Sequence, residues 1–224
     1  GTTVGYNYPS IKAWKDLAVR RTGTYLGEEM YAKEGVHVIK GKAHFIDSHT
    51  ITVGIARFSA RQFLIATGSE LFVPPIPGLE QAGYITYREA INLTRPPRTL
   101  AILGGGAIGC EFANLFAIFG TKVHIIDLAD RLLSKEEPEV SDFLEERFSE
   151  EYGMSLHLGV TVDKVETFGG RKRLSLRKGK KAALLAVDEV LVATGKRGNV
   201  DIGLENAGVA YEKGAILVNT HMQT

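Results

Sequence analysis

Apolar residues recur over residues 10–33 at mixed three- and four-residue spacing, through Trp14, Leu17, Ala18, Tyr25, Leu26 and Met30. That spacing predicts a helix, with Gly35 as its stop. The period then shortens to brief apolar runs at 36–39, 43–46, 51–53 and 63–66, punctuated by Gly41, Asp47-Ser48 and Gly54. These predict an antiparallel meander followed by a buried strand. Val73-Pro74-Pro75-Ile76-Pro77-Gly78 interrupts the pattern. Prolines remove backbone donors and restrict their neighbours, so this stretch reads as a stiff linker. Arg95-Pro96-Pro97-Arg98 is a second break.

Beyond it the pattern sharpens. Residues 99–103 form an apolar strand, 107–119 an apolar helix stopped at Gly120, and 122–126 a second strand. Residues 139–151 are acidic and amphipathic, with Pro138 placed for a first helical turn. Short strand patterns follow at 155–158, 164–168, 174–177 and 184–187, and a longer one runs into Gly195. The tail holds one more apolar run at 216–218. Strand, helix, strand, helix and then a meander argue for a right-handed α/β unit with an antiparallel appendage. The one repeat is a pair of strands ending alike, Phe63-Leu64-Ile65-Ala66-Thr67-Gly68 and Val190-Leu191-Val192-Ala193-Thr194-Gly195.

Only the second of these strands has a glycine loop ahead of it, Gly104-Gly105-Gly106-Ala107-Ile108-Gly109. The loop follows a strand and opens a helix, the setting in which G-x-G-x-x-G carries meaning. Gly104 permits the tight turn, Gly106 lets backbone approach a pyrophosphate, and Gly109 allows close helix–strand packing. Free N–H groups and the helix dipole would face two phosphates. Asp127 ends the second strand about 20 residues past the loop, where an acid accepts from the adenosine ribose hydroxyls. Its charge repels a 2′-phosphate, which favours NAD over NADP, while Arg131 nearby could soften that preference. The bland alternative is a tight strand-to-helix turn beside a solvated strand end. Glu111 reads equally as an acid stabilised by the helix dipole or as a group near the nicotinamide.

Composition narrows the rest. A net charge of +1 over 224 residues recruits neither nucleic acid nor membrane surface. No apolar run approaches a bilayer span, and Gly1-Thr2-Thr3-Val4-Gly5 lacks the features of a signal peptide. Cys110 is the only cysteine, which excludes an internal disulfide and suits a reducing cytoplasm. It reads as a packing residue. The basic residues between Arg171 and Lys181 read as a solvated hairpin, and the acids from Glu136 to Glu151 as a solvated helix face. Six histidines (His37, His44, His49, His124, His157, His221) show no metal-ligand spacing. No G-x-S-x-G elbow supports a nucleophilic serine.

The segment Leu103-Gly104-Gly105-Gly106-Ala107-Ile108-Gly109-Cys110-Glu111-Phe112-Ala113 resembles the NAD-domain loop of the pyridine nucleotide–disulfide oxidoreductases. The likeness extends to Ile65-Ala66-Thr67-Gly68-Ser69 with Pro75-Ile76-Pro77-Gly78, to Asp130-Arg131-Leu132-Leu133, and to Glu139-Val140-Ser141. It continues through Val192 to Asn199, Gly214 to Asn219 and Met222-Gln223-Thr224. The resemblance implies a Rossmann-like NAD-binding domain, a parallel sheet with an antiparallel β-meander, plus part of a FAD-type domain with a helix and a meander. Residues 1–72 would be the partial FAD segment, 73–97 a linker and lead-in, 98–198 the NAD-binding domain, and 199–224 a return toward FAD. Carried over, Glu111 would lie near the nicotinamide, Val162 near the adenine and Gly195 near the cofactor's bridging region. Ala66, Thr67 and Gly68 would line FAD. The family's FAD glycine fingerprint, redox cysteine pair and His-Glu acid–base pair have no counterpart here. The resemblance therefore implies no catalytic residue in this chain, NAD as its own cofactor, and FAD and a homodimer in the parent enzyme. The chain alone would be inactive, with the rest of the parent polypeptide as its partner. A stand-alone NAD-binding module without catalysis is the alternative.

Overall fold

A computed structural model describes residues 5–22 and 27–224. In chain order the elements begin with helices α1 (Tyr8–Arg21) and α2 (Gly27–Lys33) and strands β1 (Ala43–Asp47), β2 (Thr50–Val53), β3 (Ala56–Ser59) and β4 (Ser69–Leu71). Two short helical turns follow, α3 (Leu79–Ala82) and α4 (Tyr87–Ala90), then β5 (Thr99–Leu103), α5 (Ala107–Ile118), β6 (Lys122–Asp127) and α6 (Pro138–Glu150). The remainder is β7 (Ser155–Leu158), β8 (Thr161–Phe168), β9 (Arg171–Lys178), β10 (Lys181–Val187), β11 (Glu189–Val192), β12 (Lys196–Gly198), a 3₁₀ turn (Leu204–Ala207), β13 (Tyr211–Glu212) and β14 (Ala215–Ile216). The chain divides into two compact units: 5–16 with 71–195, and 17–70 with 196–224.

The first unit is built on a parallel sheet of order β11-β5-β6-β7. Leu100, Ala101, Ile102 and Leu103 of β5 are all buried, because both faces of the sheet are covered. Leu100 and Ile102 pack among Phe116 of α5, Phe148 of α6, Ile125 and Leu191. Ala101 and Leu103 point the other way, into Val165, Leu174, Val187 and Leu79. Those residues belong to the antiparallel meander β10-β9-β8 and to α3. Ile85 adds a parallel bridge to Leu191 at the edge of the sheet. The helix and strand patterns from 99 to 192 thus appear close to where they were read, with α5 ending at Ile118, α6 starting at Pro138 and the last strand ending at Val192 rather than at Gly195.

The second unit holds the antiparallel meander β1-β2-β3, whose Phe45 packs with Ile202 and Leu204. The described part of the expected 10–33 helix forms α1 and α2, while Tyr25 and Leu26 lie outside the described residues. Three expectations need correction here. Residues 36–39 and 63–66 join no ladder among the described residues. Phe63 and Ile65 face the Phe45 cluster while Leu64 between them is 93% exposed. The alternation of a strand is present, but a buried parallel strand needs hydrogen-bonding neighbours on its edges and cover on both faces. Likewise, of 216–218 only Ile216 lies in a ladder, the short ribbon β13–β14, with Leu217 N–H donating to Ala210 O at 2.9 Å beyond it.

Candidate functional site

The loop after β5 leaves a fully paired strand, since Gly104 N–H still donates to Ile126 O at 2.8 Å. Gly104 has φ 112, and a Cβ there would lie 2.5 Å from Ala193 O. Both the backbone and the space demand glycine. A Cβ on Gly109 would come within 1.9 Å of Gly104 O and 3.5 Å of Ile102 Cγ2. That glycine is what lets α5 press against β5. Gly106 is different. It is the N-cap of α5 in extended backbone, φ −78 and ψ −176, and its Cβ would meet nothing within 4 Å. As a glycine N-cap it supplies no side chain to the first-turn N–H groups of α5, which face outward from the helix end.

Asp127 closes β6 beside this loop. Its Oδ2 accepts from Gly105 N–H at 2.5 Å and its Oδ1 from Ala129 N–H at 2.7 Å. The carboxylate thus braces the loop as well as facing the cleft. Gly104, Gly106, Ala107, Ile108, Asp127 and Gly195 line one cleft of about 370 Å³, closed on its far side by residues 133–136. A second cleft of about 350 Å³ shares Gly104, Asp127 and Thr194 and runs over Val162, Val160 and Leu128 toward Phe72, Pro74 and Ile76. The two clefts meet at the carboxyl ends of β5, β6 and β11, where open α/β sheets take ligands. A larger hollow of about 550 Å³ is lined by residues 93–98 with Asp188 and Glu189. It adjoins the start of β5 rather than its carboxyl end, so the glycine-loop clefts are the candidate site.

The other named residues fall as follows. Gly109 is buried inside α5. Glu111 is exposed on the same helix and is not among the residues lining either cleft. Arg131 Nη2 donates to Ser134 O at 3.0 Å, on the cleft wall, while its buried Nη1 has no hydrogen-bond partner. Ala66, Thr67 and Gly68 belong to the second unit, where Thr67 Oγ1 donates to Asn199 O at 2.7 Å and Asn199 Nδ2 donates to Thr67 O at 2.9 Å. The walls contributed by 133–136 and by Phe72, Pro74 and Ile76 were not legible in the sequence. They lie on irregular backbone, which carries no periodic signal.

Cys110 lies buried under the loop, its Sγ 3.4 Å from Gly105 O. Burial pushes the thiol up to about 12, helped by the carboxylates of Asp127, Glu111 and Glu145. Several cations of the basic hairpin are paired, Arg173 with Glu166 and Arg177 with Asp163 across β9 and β8, and Lys172 with Glu189 of β11. The register of β6 and β7 brings His124 Nδ1 within 3.2 Å of His157 Nε2. Burial, then the neighbouring His157 and Lys122, lowers His124 to about 4. Among the described residues no group of three or more His, Cys, Asp or Glu could hold a metal ion. No described helix is long and apolar enough to cross a membrane.

A family profile described as pyridine nucleotide-disulphide oxidoreductase matches residues 13–224. Mercuric reductase of Staphylococcus aureus is 36% identical over 198 residues, covering 88% of this chain and 36% of the reductase. Dihydrolipoyl dehydrogenase of Bacillus subtilis (strain 168) is 34% identical over 197 residues, covering 86% of this chain and 42% of the dehydrogenase. Among solved structures, the HOCl-induced flavoprotein disulfide reductase RclA from Escherichia coli superposes with a TM-score of 0.74 at 34% identity. That match covers 84% of this chain and 43% of RclA. The chain therefore spans less than half the length of each of these three relatives.

Proposed function

The chain belongs to the pyridine nucleotide-disulphide oxidoreductase family, and from that premise we propose that it supplies the NAD(H)-binding portion of a flavin-dependent NAD(P)H:disulfide-type oxidoreductase. The observation that carries the reading is the open helix end at Gly106. A Cβ there meets no protein atom, Gly106 lines the cleft, and no side chain caps the first turn of α5. Backbone N–H groups at a helix N-terminus suit a diphosphate. The residues present fit a dinucleotide. Gly106, Ala107 and Ile108 would hold the pyrophosphate. Asp127 would accept from the adenosine ribose hydroxyls, and Val162 would cover the adenine. Gly195 would stand at the bridging region, and Glu111 near the nicotinamide.

NAD is favoured over NADP because Asp127 places negative charge in the cleft where a 2′-phosphate would enter; Arg131 spends Nη2 on Ser134 O, and its buried Nη1, which has no hydrogen-bond partner, is the group that would soften that preference. When bound, the nicotinamide supplies a hydride; the chain's own residues bind it, orient it and keep its diphosphate against fixed dipoles. Ala66, Thr67 and Gly68 do not by themselves fit FAD. Thr67 and Gly68 are held by Asn199 rather than by strand neighbours, and no second glycine loop opens a helix among the described residues of their unit. Hydride transfer between NADH and FAD is thus the reaction proposed for the whole enzyme, a cytoplasmic homodimer in this reading. The chain alone is expected to be inactive. Cys110, its only cysteine, has no partner thiol with which to take up two electrons.

Calorimetric titration with NADH and NADPH tests the reading, alongside the visible spectrum of the purified chain. Expected are saturable NADH binding, NADPH binding weaker by about tenfold or more, and no flavin absorbance; a buried charge repulsion of about 1.4 kcal/mol suffices for that ratio. Equal affinities, or no binding of either, would overturn it.

A further inference from the structure

The connection from β6 to α6 carries a brace built from two α6 side chains. The Ser141 hydroxyl, wholly buried, donates to Leu132 O at 2.5 Å. The Glu145 carboxylate accepts from Leu132 N–H at 2.8 Å. Four residues apart, the two side chains share one helix face and reach the same residue of the connection. The Leu132 side chain is itself fully buried, so the segment is anchored at side chain and backbone alike.

The next residue, Leu133, sits at φ 47, a left-handed conformation that a leucine adopts only where its surroundings impose it. In that conformation Leu133 N–H donates to Gly105 O at 2.9 Å. Gly105 O and Gly106 N–H belong to one trans peptide group and point in opposite directions. Anchoring the carbonyl therefore fixes the plane of this peptide and with it the direction of the Gly106 N–H, on a residue that lines the cleft.

We infer that Ser141 and Glu145 are positioning residues for the diphosphate of the bound dinucleotide. They hold Leu132, Leu132 sets Leu133, and the Leu133 N–H sets the plane of the Gly105–Gly106 peptide. The loop is thereby aimed before ligand arrives, and binding does not have to order it. This role rests on reading the cleft as a dinucleotide site.

The test titrates the 224-residue chain and its Ser141→Ala, Glu145→Leu and Glu145→Gln variants with NADH, ADP and adenosine, and records the Gly106 amide ¹⁵N resonance. In Ser141→Ala and Glu145→Leu, affinity for NADH and ADP falls about three- to tenfold, the worth of one hydrogen bond. Adenosine, which has no phosphate, binds as before. Glu145→Gln keeps an oxygen acceptor for Leu132 N–H and so retains the wild-type affinities. The Gly106 resonance shifts in the two damaging variants and not in Glu145→Gln. Unchanged NADH affinity in folded Glu145→Leu overturns the positioning role and leaves the dinucleotide reading intact. Equal losses for NADH and adenosine overturn it too, since they mark general loosening. A wild-type chain that binds neither NADH nor ADP overturns both readings. If Ser141→Ala does not fold, the comparison of Glu145→Leu with Glu145→Gln decides.

Discussion

Gly106 and Gly109 lie three residues apart in one loop, yet their substitution should have opposite consequences. Gly106 has φ −78, a backbone any residue adopts, and its Cβ meets nothing within 4 Å. Gly106→Val should therefore leave folding within about 0.5–1 kcal/mol of wild type, chiefly through a poorer N-cap. The valine methyls would project into the cleft where the diphosphate approaches the first turn of α5. Two backbone N–H contacts to a charged group are worth about 3–6 kcal/mol together, so NADH affinity should fall by about a hundredfold or more. Gly109→Ala reverses the pattern. Its Cβ would lie 1.9 Å from Gly104 O, well inside contact distance, so α5 must shift against β5. Such overpacking costs about 1–3 kcal/mol, sometimes more, and lowers the melting temperature by roughly 2–4 °C per kcal/mol in a chain of this size. Thermal melts and NADH calorimetry on both variants check the contrast. A folded Gly106→Val that still binds NADH like wild type would refute the reasoning, and so would a Gly109→Ala as stable as wild type.

Asp127→Ala removes two charged hydrogen bonds to Gly105 and Ala129 N–H. It should lower stability by about 3 kcal/mol or more even without ligand and erase the NADH-over-NADPH preference; an unchanged denaturant midpoint would show that the brace is idle. Cys110, with its thiol near 12, should resist alkylation in the folded chain and react only after denaturation, a contrast that mass spectrometry reads directly. His124 is held neutral in the fold, near 4 against an ordinary 6.5. The unfolded chain therefore binds the extra proton first, and stability falls as pH drops from about 6.5 to 4, by about 2 kcal/mol for this group. Urea midpoints at the two ends should differ less in His124→Gln than in wild type, and equal pH slopes would dismiss the pair.

The α/β unit was legible in the sequence because its signals are local. Four consecutive apolar residues at 100–103, a glycine loop, an apolar helix and an acid at the end of the next strand each follow from spacing within a few residues. The elements at 99–127 accordingly form where the pattern placed them. The runs at 36–39 and 63–66 also read as strands, yet they join no ladder among the described residues. A strand is a relation between chain segments, and no single segment encodes whether its edges find partners. Tertiary structure alone decided three further things. The register of parallel strands set His124 against His157, 33 residues away. A helix face carried Ser141 and Glu145 back to Leu132. Irregular backbone at 133–136 became a wall of the cleft. In each case the deciding contact lies beyond the few residues over which a sequence pattern reads, 9 and 13 for the Leu132 brace and 33 for the histidines, and it depends on groups that meet only once the sheet and its helices have packed.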